Sequence, residues 1–366
     1  MIEKQNNKKI VVFHVITGLH TAGAEMMLFK LLKGSNNHQY HSIVVSLLDK
    51  STLGEEFEKI NKQVITLQWS KWHRLLGAPF AIVYLLIKYK PVIIQGWMYH
   101  GNLVASVMAF FNRVFARKSL LVWNIRHTIY NLQEEKAQLR GLIKIGAILS
   151  RSAGAIIFNS EVSQRKHGEI GYANANNLVV PNGFDTQQFK PLDNKDDLRK
   201  TFNIPEHFTV FGHVARYHPM KDHAGFVAAC LQIAKKHKNT CFVMVGRDID
   251  DSHTELARQI EDSGLNHLFY RLGEQKDLIE IYNLFDIFVI SSAWGEAFPN
   301  VLGEAMACGV PAVVTDVGDS GDIVGATGLL VPPKDTSALA HAMETLVQMP
   351  VNRRKDLGKK ARQRIQ

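Results

Sequence analysis

Two cations in the second half of the sequence have a spacing suited to binding an anion. Arg216 directly follows the apolar segment FTVFGHVA, and Lys221 comes five residues later, where a helix is predicted to begin. Arginine holds a phosphate group with two hydrogen bonds, and lysine adds a compact positive charge. A strand end next to a helix N-terminus is also a favourable place for an anion. The spacing therefore predicts a phosphate site, and a pair of solvated loop cations is the alternative.

A second segment, GEAFPNVLGEAMACG over residues 295–309, carries two glutamates eight residues apart, Glu296 and Glu304. Both carboxylates have the wrong sign for phosphate, but they accept hydrogen bonds from hydroxyl groups. The alternative is that Glu304 is an ordinary exposed helix residue. Its apolar neighbours, such as Leu302 and Met306, favour a half-buried position instead.

The same segment predicts a helix that opens with a binding turn. Pro299 suits the first helical position, and Gly309 ends the helix. At such a start we expect backbone amides that face a bound anion, those of Asn300, Val301 and Leu302. Amides for phosphates together with carboxylates for hydroxyls describe a nucleotide sugar.

Short apolar strands alternate with longer helical periods along the whole chain, which predicts a parallel α/β architecture. The predicted strands cover 9–16, 41–48, 91–97, 119–125, 153–160, 208–215, 240–246, 267–273, 286–292 and 311–316. The predicted helices include 24–34, 101–112, 137–150, 222–236 and 253–264.

A segment rich in Pro, Gly, Asn and Asp, residues 179–194, predicts a crossover between two doubly wound, Rossmann-like domains. We place the first domain at 1–184 and the second at 185–345, followed by a basic helix at 346–366. Ligands of such sheets bind outside the carboxyl ends of the strands. We therefore expect the two domains to face each other across a cleft that holds the site.

Glycines follow two of the predicted strands. Gly18 and Gly23 lie in TGLHTAGAE after the first strand, and Gly246 ends the strand TCFVMVG. The first loop does not have the G-x-G-x-x-G spacing of a dinucleotide site. It is either a ligand loop or a tight strand-to-helix turn.

Composition narrows the classes of partner. The chain of 366 residues is long enough for two domains, and it contains no apolar stretch of the roughly 18 residues that a membrane span needs. The polar N-terminus does not resemble a signal peptide. Three scattered cysteines predict a reducing compartment without a disulfide framework. Asp248 and Asp250 form a D-x-D triplet, which we interpret as loop chemistry, so no metal is expected.

The net charge of +9 is concentrated in the first half, where residues 1–185 hold 22 Lys and Arg against 11 Asp and Glu. Such a basic half predicts an anionic partner, and a solvated surface is the alternative. No nucleic-acid recognition motif with interleaved aromatic residues is present. We therefore expect the first domain to contact an anionic membrane, with binding that weakens steeply as salt increases.

These segments together resemble retaining glycosyltransferases of family 4, which have the GT-B fold and an E-x7-E signature. The resemblance covers most of the chain. It rests on the stretch from Gly295, on the pair Arg216 and Lys221, on the glycine loop at 17–25, on VVPNGFD at 179–185 and on TGLLVPPKD at 327–335. It implies transfer of a sugar from a nucleotide-diphosphate donor to an acceptor with retention of the anomeric configuration. It also implies that the C-terminal helix at 346–366 crosses back onto the first domain.

The resemblance also implies roles for individual residues. Arg216 and Lys221 match the pair that binds the diphosphate and stabilises the leaving group. Glu296 matches a residue near the transferred sugar, and Glu304 one that holds the ribose hydroxyls. The donor-binding turn corresponds to Phe298, Pro299, Asn300, Val301 and Leu302, and the loop under the phosphates to Gly18 and Gly23. His127, in NIRHT, matches a histidine near the sugar, and a packed or solvated side chain is the alternative.

The expected protein is thus a cytoplasmic glycosyltransferase, peripheral at the inner face of the plasma membrane. A UDP-sugar is favoured as donor and a GDP-sugar is the alternative, and no cofactor is required. The expected acceptor is a lipid-linked saccharide or a precursor of lipopolysaccharide or capsule. The rival interpretations are a sugar-nucleotide epimerase of the same fold and a binding protein without catalysis.

Overall fold

A computed structural model describes residues 9–20, 23–35, 39–71, 74, 76–173, 175–250, 254–275 and 277–366. The chain divides into two compact units, Met1–Pro181 and Asn182–Gln366. The division falls shortly before the boundary predicted at residue 184. Within the described ranges, no helix is both long and apolar enough to cross a membrane.

Among the described residues, the N-terminal unit forms a parallel sheet in the order β3-β2-β1-β4-β5-β6-β7. Its strands are β1 (Ile10–Ile16), β2 (Tyr40–Ser46), β3 (Gln63–Thr66), β4 (Ile93–Trp97), β5 (Leu120–Ile125), β6 (Ala155–Phe158) and β7 (Asn177–Val179). The helices are α1 (Gly23–Lys33), α2 (Ser51–Lys59), α3 (Ala78–Tyr89), α4 (Met98–Val114), α5 (Ala137–Leu149) and α6 (Glu161–Ile170).

The helices of this unit cover both faces of the sheet. The chain moves outward from β1 to β3, and then from β4 to β7 in the opposite direction. Because parallel connections are right-handed, this order places α1 and α2 on one face and α3, α4 and α5 on the other. The packing agrees. Leu28 and Phe57 share one core cluster, and Leu86, Met108 and Ile143 share another.

In the described part of the C-terminal unit, a second parallel sheet has the order β10-β9-β8-β11-β12-β13. Its strands are β8 (Thr209–Val214), β9 (Thr240–Val245), β10 (Phe269–Arg271), β11 (Ile287–Ile290), β12 (Ala312–Thr315) and β13 (Leu329–Val331). The helices are α7 (Lys195–Thr201), α8 (His223–Lys236), α9 (Thr254–Glu261), α10 (Ile279–Leu284), α11 (Asn300–Ala307), α12 (Ser320–Val324), α13 (Thr336–Gln348) and α14 (Val351–Ile365).

Strands β8 and β11 are neighbours in this sheet, and the chain leaves them in opposite directions. Loops that leave adjacent strands in opposite directions open a crevice at the carboxyl edge of a parallel sheet. The loop after β8 carries Arg216 and Lys221, and the loop after β11 carries Glu296. The strand order therefore brings together segments that are far apart in the sequence.

The predicted strands are present, and their ends differ from the prediction by at most two residues; β2 begins one residue earlier than predicted. Strands β3, β7 and β13 were not among the predicted strands, because each is only three or four residues long and largely half-buried or exposed. The predicted position of Pro299 is wrong by one residue. Its ψ of 104° is extended, so it caps the helix, and α11 begins at Asn300.

The final helix, α14, packs on α11 within its own unit. Its Gly358 lies against the carbonyl of Gly309, where a Cβ would overlap that oxygen. Arg362 donates hydrogen bonds to the carbonyls of Thr186 and Phe189, at 2.9 Å each, and to that of Ala307. These bonds fix the end of α11 and the segment that opens the unit. A return of this helix to the N-terminal domain stays a prediction.

Candidate functional site

Lys221 and Glu296 form an ion pair between the loops that follow β8 and β11. Their side chains are only 17% and 11% exposed. Ser292 Oγ also donates to Glu296 Oε1, at 2.7 Å. A shielded ion pair is strengthened by the weak screening around it, and the hydroxyl fixes the orientation of the carboxylate. The structure thus brings together two of the predicted site residues, which lie 75 positions apart in the chain.

Further bonds hold the two loops at fixed positions. Ser291 Oγ donates to the carbonyl of Lys221 at 2.8 Å, and the amide of Ala293 donates to that of Met220 at 2.8 Å. Asp222 adopts a left-handed conformation with φ of 49° and caps α8 by accepting from the amide of Gly225. The backbone on both sides of the lysine is therefore fixed, which preorganises its ammonium group.

Glu304 lies inside α11, and its residue is only 8% exposed. Tyr282, on α10, donates its hydroxyl to Glu304 Oε2 at 3.0 Å. Burial and the nearby carboxylate raise the pKa of Tyr282 well above its usual value, so the phenol stays protonated and donates. The predicted alternative of an exposed helix residue is wrong for Glu304, because the apolar neighbours on α11 pack in the core.

The first residues of the C-terminal unit pack against the start of α11. Asn182 Nδ2 donates to Asn300 Oδ1 at 2.6 Å, and the ring of Phe184 stacks on that of Phe298. A Cβ at Gly303 would overlap the ring of Phe184, so only glycine permits this contact. Contacts from Asn182 and Phe184 therefore fix the predicted donor-binding turn.

One backbone amide of this turn has a hydrogen-bond partner within the chain. The amide of Leu302 donates to the carbonyl of Pro299 at 3.2 Å. The helix start supplies its own acceptor for this amide, and a contact between the amide and an anion stays a prediction. The amides of Asn300 and Val301 stay predicted anion contacts.

Arg216 is exposed just beyond the end of β8. Behind it, Gly246 has φ of 150°, and a Cβ at this position would overlap the carbonyl of Ala215. Glycine thus allows the ends of β8 and β9 to approach each other at the base of the arginine loop. This close approach explains by packing alone why a glycine follows β9 at position 246.

The D-x-D triplet lies in the loop after β9. Asp248 has φ of 62°, a conformation that Asp tolerates in turns. Asp251 lies outside the described residues. Across the described ranges, no group of three or more His, Cys, Asp or Glu side chains is arranged to hold a metal ion.

In the N-terminal unit, the glycine loop follows β1. Gly18 is described, Gly23 opens α1, and residues 21–22 between them lie outside the described residues. Within the described part of the chain, the space beside Gly23 is open, so its backbone is accessible.

His127 follows β5 and is held by neighbouring side chains. Its Nε2 lies 2.9 Å from Glu135 Oε1, and its ring meets that of Tyr99 edge-on. Ser163 Oγ donates to the carbonyl of His127 at 2.6 Å. Beside it, Arg126 lies over the ring of Trp97, and burial lowers the pKa of this arginine to about 10. The contacts describe a packed histidine, and a role near a sugar stays a prediction.

His213 lies on β8 close to the ion pair. Its Nδ1 donates to the carbonyl of Val289 at 3.0 Å. Burial lowers its pKa from 6.5 to about 4, so the ring is neutral at pH 7 and adds no positive charge beside Lys221. Burial likewise lowers the pKa of His14 and His167 to about 4.

These histidines predict a loss of stability in acid. The unfolded chain takes up a proton near pH 6.5, whereas the folded chain resists it until about pH 4. The free energy of unfolding therefore falls as the pH drops through this window. We expect a loss of about 2 kcal/mol per histidine between pH 7 and pH 5. Urea unfolding at both pH values measures it.

His213→Asn is the matched variant, because the Asn amide replaces the Nδ1 donor and does not titrate. We expect a smaller difference between the two pH values than in the wild type. An equal difference in both proteins would contradict the assignment to His213.

Several of the contacts that position the site have no local signal in the sequence. Tyr282 and Asn182 each bind a predicted site residue that helix packing and the chain crossover bring to them from far along the sequence, whereas Ser292 lies only four residues from its partner Glu296. The composition of the segment from 179 to 194 did indicate a structured crossover, which is where Asn182 lies.

Residues 194–364 match the family described as "Glycosyl transferases group 1". The chain is 28% identical over 178 residues to the lipopolysaccharide core biosynthesis mannosyltransferase LpsB of Rhizobium meliloti, covering 47% of this chain and 50% of LpsB. It is 29% identical over 175 residues to the Escherichia coli UDP-Gal:alpha-D-GlcNAc-diphosphoundecaprenol alpha-1,3-galactosyltransferase, covering 45% of this chain and 43% of that enzyme. The chain thus spans about half the length of the curated relatives it matches.

Solved structures match nearly the whole chain. Anabaena HepE, crystallised with UDP and glucose, has a TM-score of 0.84 and 22% identity over 98% of this chain and 95% of HepE. The sucrose-phosphate synthase of Thermosynechococcus elongatus has a TM-score of 0.79 and 19% identity over 98% of this chain and 94% of that protein. The predicted fold class is confirmed: the chain has the GT-B fold, and its residues 194–364 match the glycosyl transferases of group 1.

Proposed function

We propose that this protein is a retaining glycosyltransferase that transfers a sugar from a nucleotide-diphosphate donor, with a UDP-sugar favoured. The observation that carries the proposal is the shielded pair of Lys221 and Glu296 at the carboxyl edge of β8 and β11. A second buried carboxylate, that of Glu304, lies on α11 of the same unit. A cation for the diphosphate and two carboxylates for hydroxyl groups fit the two ends of a nucleotide sugar.

The diphosphate end of the donor is assigned to the two cations. Arg216 is exposed beyond β8 and free to reach a ligand from solution, whereas Lys221 is held in a fixed loop. In the absence of donor, Glu296 neutralises the lysine. A bound diphosphate supplies a second negative group for this ammonium, and Ser292 continues to hold the carboxylate.

The two glutamates are assigned to different parts of the donor. Glu304 accepts hydrogen bonds from the ribose hydroxyls, oriented by the phenol of Tyr282. Glu296 accepts from a hydroxyl of the transferred sugar. The turn formed by Phe298, Pro299, Asn300, Val301 and Leu302 contacts the sugar and the phosphates between them. These roles come from the resemblance and are supported by the burial and orientation of both carboxylates.

The chemistry requires the bond between the anomeric carbon and the phosphate oxygen to break. Negative charge then grows on the leaving diphosphate, and preorganised cations lower the barrier by stabilising it. We propose that the acceptor hydroxyl attacks the anomeric carbon from the face that the diphosphate leaves, within a tight ion pair, and that an oxygen of the leaving diphosphate takes up the hydroxyl proton. Attack from this face retains the configuration. The paired-carboxylate scheme of glycoside hydrolases does not map onto these residues, because Glu304 is assigned to the ribose.

The acceptor is proposed to be a lipid-linked saccharide or a polysaccharide precursor that the N-terminal unit binds. From the same unit, His127 is assigned to the transferred sugar and the loop of Gly18 and Gly23 to the donor phosphates. The basic N-terminal half supports contact with an anionic membrane face. Two of the relatives, a lipopolysaccharide core mannosyltransferase and a diphosphoundecaprenol galactosyltransferase, favour an acceptor of this class.

A donor panel tests the function. We expect one nucleotide-diphosphate sugar, a UDP-sugar first, to raise the melting temperature and to release its nucleotide when a saccharide acceptor is present. Product analysis with donor alone separates an epimerase, which would convert the sugar without an acceptor. If no nucleotide sugar binds or turns over, the proposal is wrong.

A further inference from the structure

Apolar side chains are exposed together on one side of the N-terminal unit. Helices α3, α4 and α5 are neighbours on the same face of the sheet, and their inner side chains share one core. On the side away from this core, exposed apolar residues come from all three helices. We call them the outer apolar face: Phe80, Tyr84 and Ile87 on α3, Val107, Phe110 and Val114 on α4, and Ile145, Ile148 and Leu149 on α5.

The spacing of these residues shows that each helix presents one side outward. On α3 and α4 they recur at intervals of three or four residues, and on α5 Ile148 and Leu149 lie three and four residues after Ile145, which is the spacing of neighbours on a helix surface. Three of the largest are highly exposed, with Phe80 at 80%, Phe110 at 64% and Ile148 at 71%. Single exposed apolar residues are common, but a contiguous group on three adjacent helices marks an interaction surface.

The charge around this face identifies the kind of partner. Residues 59–160 contain fourteen Lys and Arg but only two carboxylates, Glu134 and Glu135. Exposed cations stand at the C-terminal ends of the three helices or just beyond them, Lys88, Lys90, Arg113, Lys118 and Arg151, and Lys144 is exposed midway along α5. Favourable interaction with helix dipoles would explain such cations, but it would not explain the aromatic residues beside them.

We propose that the outer apolar face inserts into the interface of an anionic lipid bilayer, with the flanking cations bound to the headgroups. Aromatic and aliphatic side chains ringed by Lys and Arg are what this interface accommodates. A second copy of this chain fits less well, since a symmetric contact would place cations against cations. The inference rests on the membrane contact in the proposed function, and it assigns that contact to one surface and to apolar insertion.

The test measures binding of the full chain to sedimenting vesicles made of equal parts phosphatidylglycerol and phosphatidylcholine. We expect the wild type to bind them, to bind more weakly as salt increases and to bind phosphatidylcholine vesicles poorly. A triple variant, Phe80→Ser, Phe110→Ser and Ile148→Ser, should lower the affinity by about 100-fold or more. The matched control replaces exposed leucines elsewhere, with Leu31→Ser, Leu178→Ser and Leu330→Ser, and should bind as the wild type does.

Folding of each variant is checked by thermal unfolding, and donor turnover with a soluble acceptor is measured in parallel. Equal vesicle binding by the triple variant and its control would overturn the assignment to this face and leave the membrane contact standing. Absence of vesicle binding by the wild type would overturn both, while donor turnover reports on sugar transfer independently. A wild-type dimer that becomes monomeric in the triple variant would assign the face to a second copy and overturn the proposal.

Discussion

Replacement of Lys221 with Ala is expected to lower kcat/KM for the donor by about 100-fold or more, because a preorganised charge that faces the leaving group contributes on this scale. Donor affinity should fall as well, since the ammonium group is assigned to the diphosphate. Steady-state kinetics and calorimetric titration with the nucleoside diphosphate measure the two effects. Unchanged affinity and turnover would remove Lys221 from the site.

This substitution also leaves the carboxylate of Glu296 without the lysine that shields it. Removing one partner of a shielded pair destabilises a fold, by about 3 kcal/mol or more when the pair is fully buried. The double variant Lys221→Ala and Glu296→Gln removes the stranded charge and should recover most of the stability, but not the turnover. The matched control is Lys236→Ala at the other end of α8, which should retain normal activity. Recovery of turnover in the double variant would mean that Lys221 acts only on stability.

Gly318→Ala is expected to destabilise the C-terminal unit strongly and to weaken donor binding. Gly318 follows β12 with φ of 63°, and a Cβ there would lie 2.5 Å from the carbonyl oxygen of Ala297 and 2.6 Å from that of Glu296. The backbone that carries Glu296 would have to move. We expect a loss of about 3 kcal/mol or more in the free energy of unfolding, since a left-handed alanine and a backbone clash add together.

Gly264→Ala separates these two contributions. Gly264 has a similar φ of 69°, but within the described residues nothing lies within 4 Å of an added Cβ. Only the left-handed strain applies, so we expect a loss of about 1 kcal/mol and unchanged donor affinity. Urea unfolding and donor titration compare the two variants. An equal loss of stability in both would show that the contact with Glu296 and Ala297 imposes no constraint.

The sequence by itself determined the fold class and the residue types of the site. The alternation of short apolar strands with helical periods predicted two parallel α/β units, because strands buried on both faces must be apolar along their length. Cations after FTVFGHVA and glutamates around PNVLGE were identifiable as candidates from their chemistry and their place at strand ends. These signals are local, so a single sequence carries them.

Only the tertiary structure decided which of these residues meet. The pairing of Lys221 with Glu296 depends on β8 lying beside β11, and that of Tyr282 with Glu304 depends on how α10 packs against α11. The outer apolar face likewise exists only because three separate helices lie on one side of a sheet. Strand order and helix packing result from the burial of many distant side chains at once, and the local pattern around any one residue does not contain them.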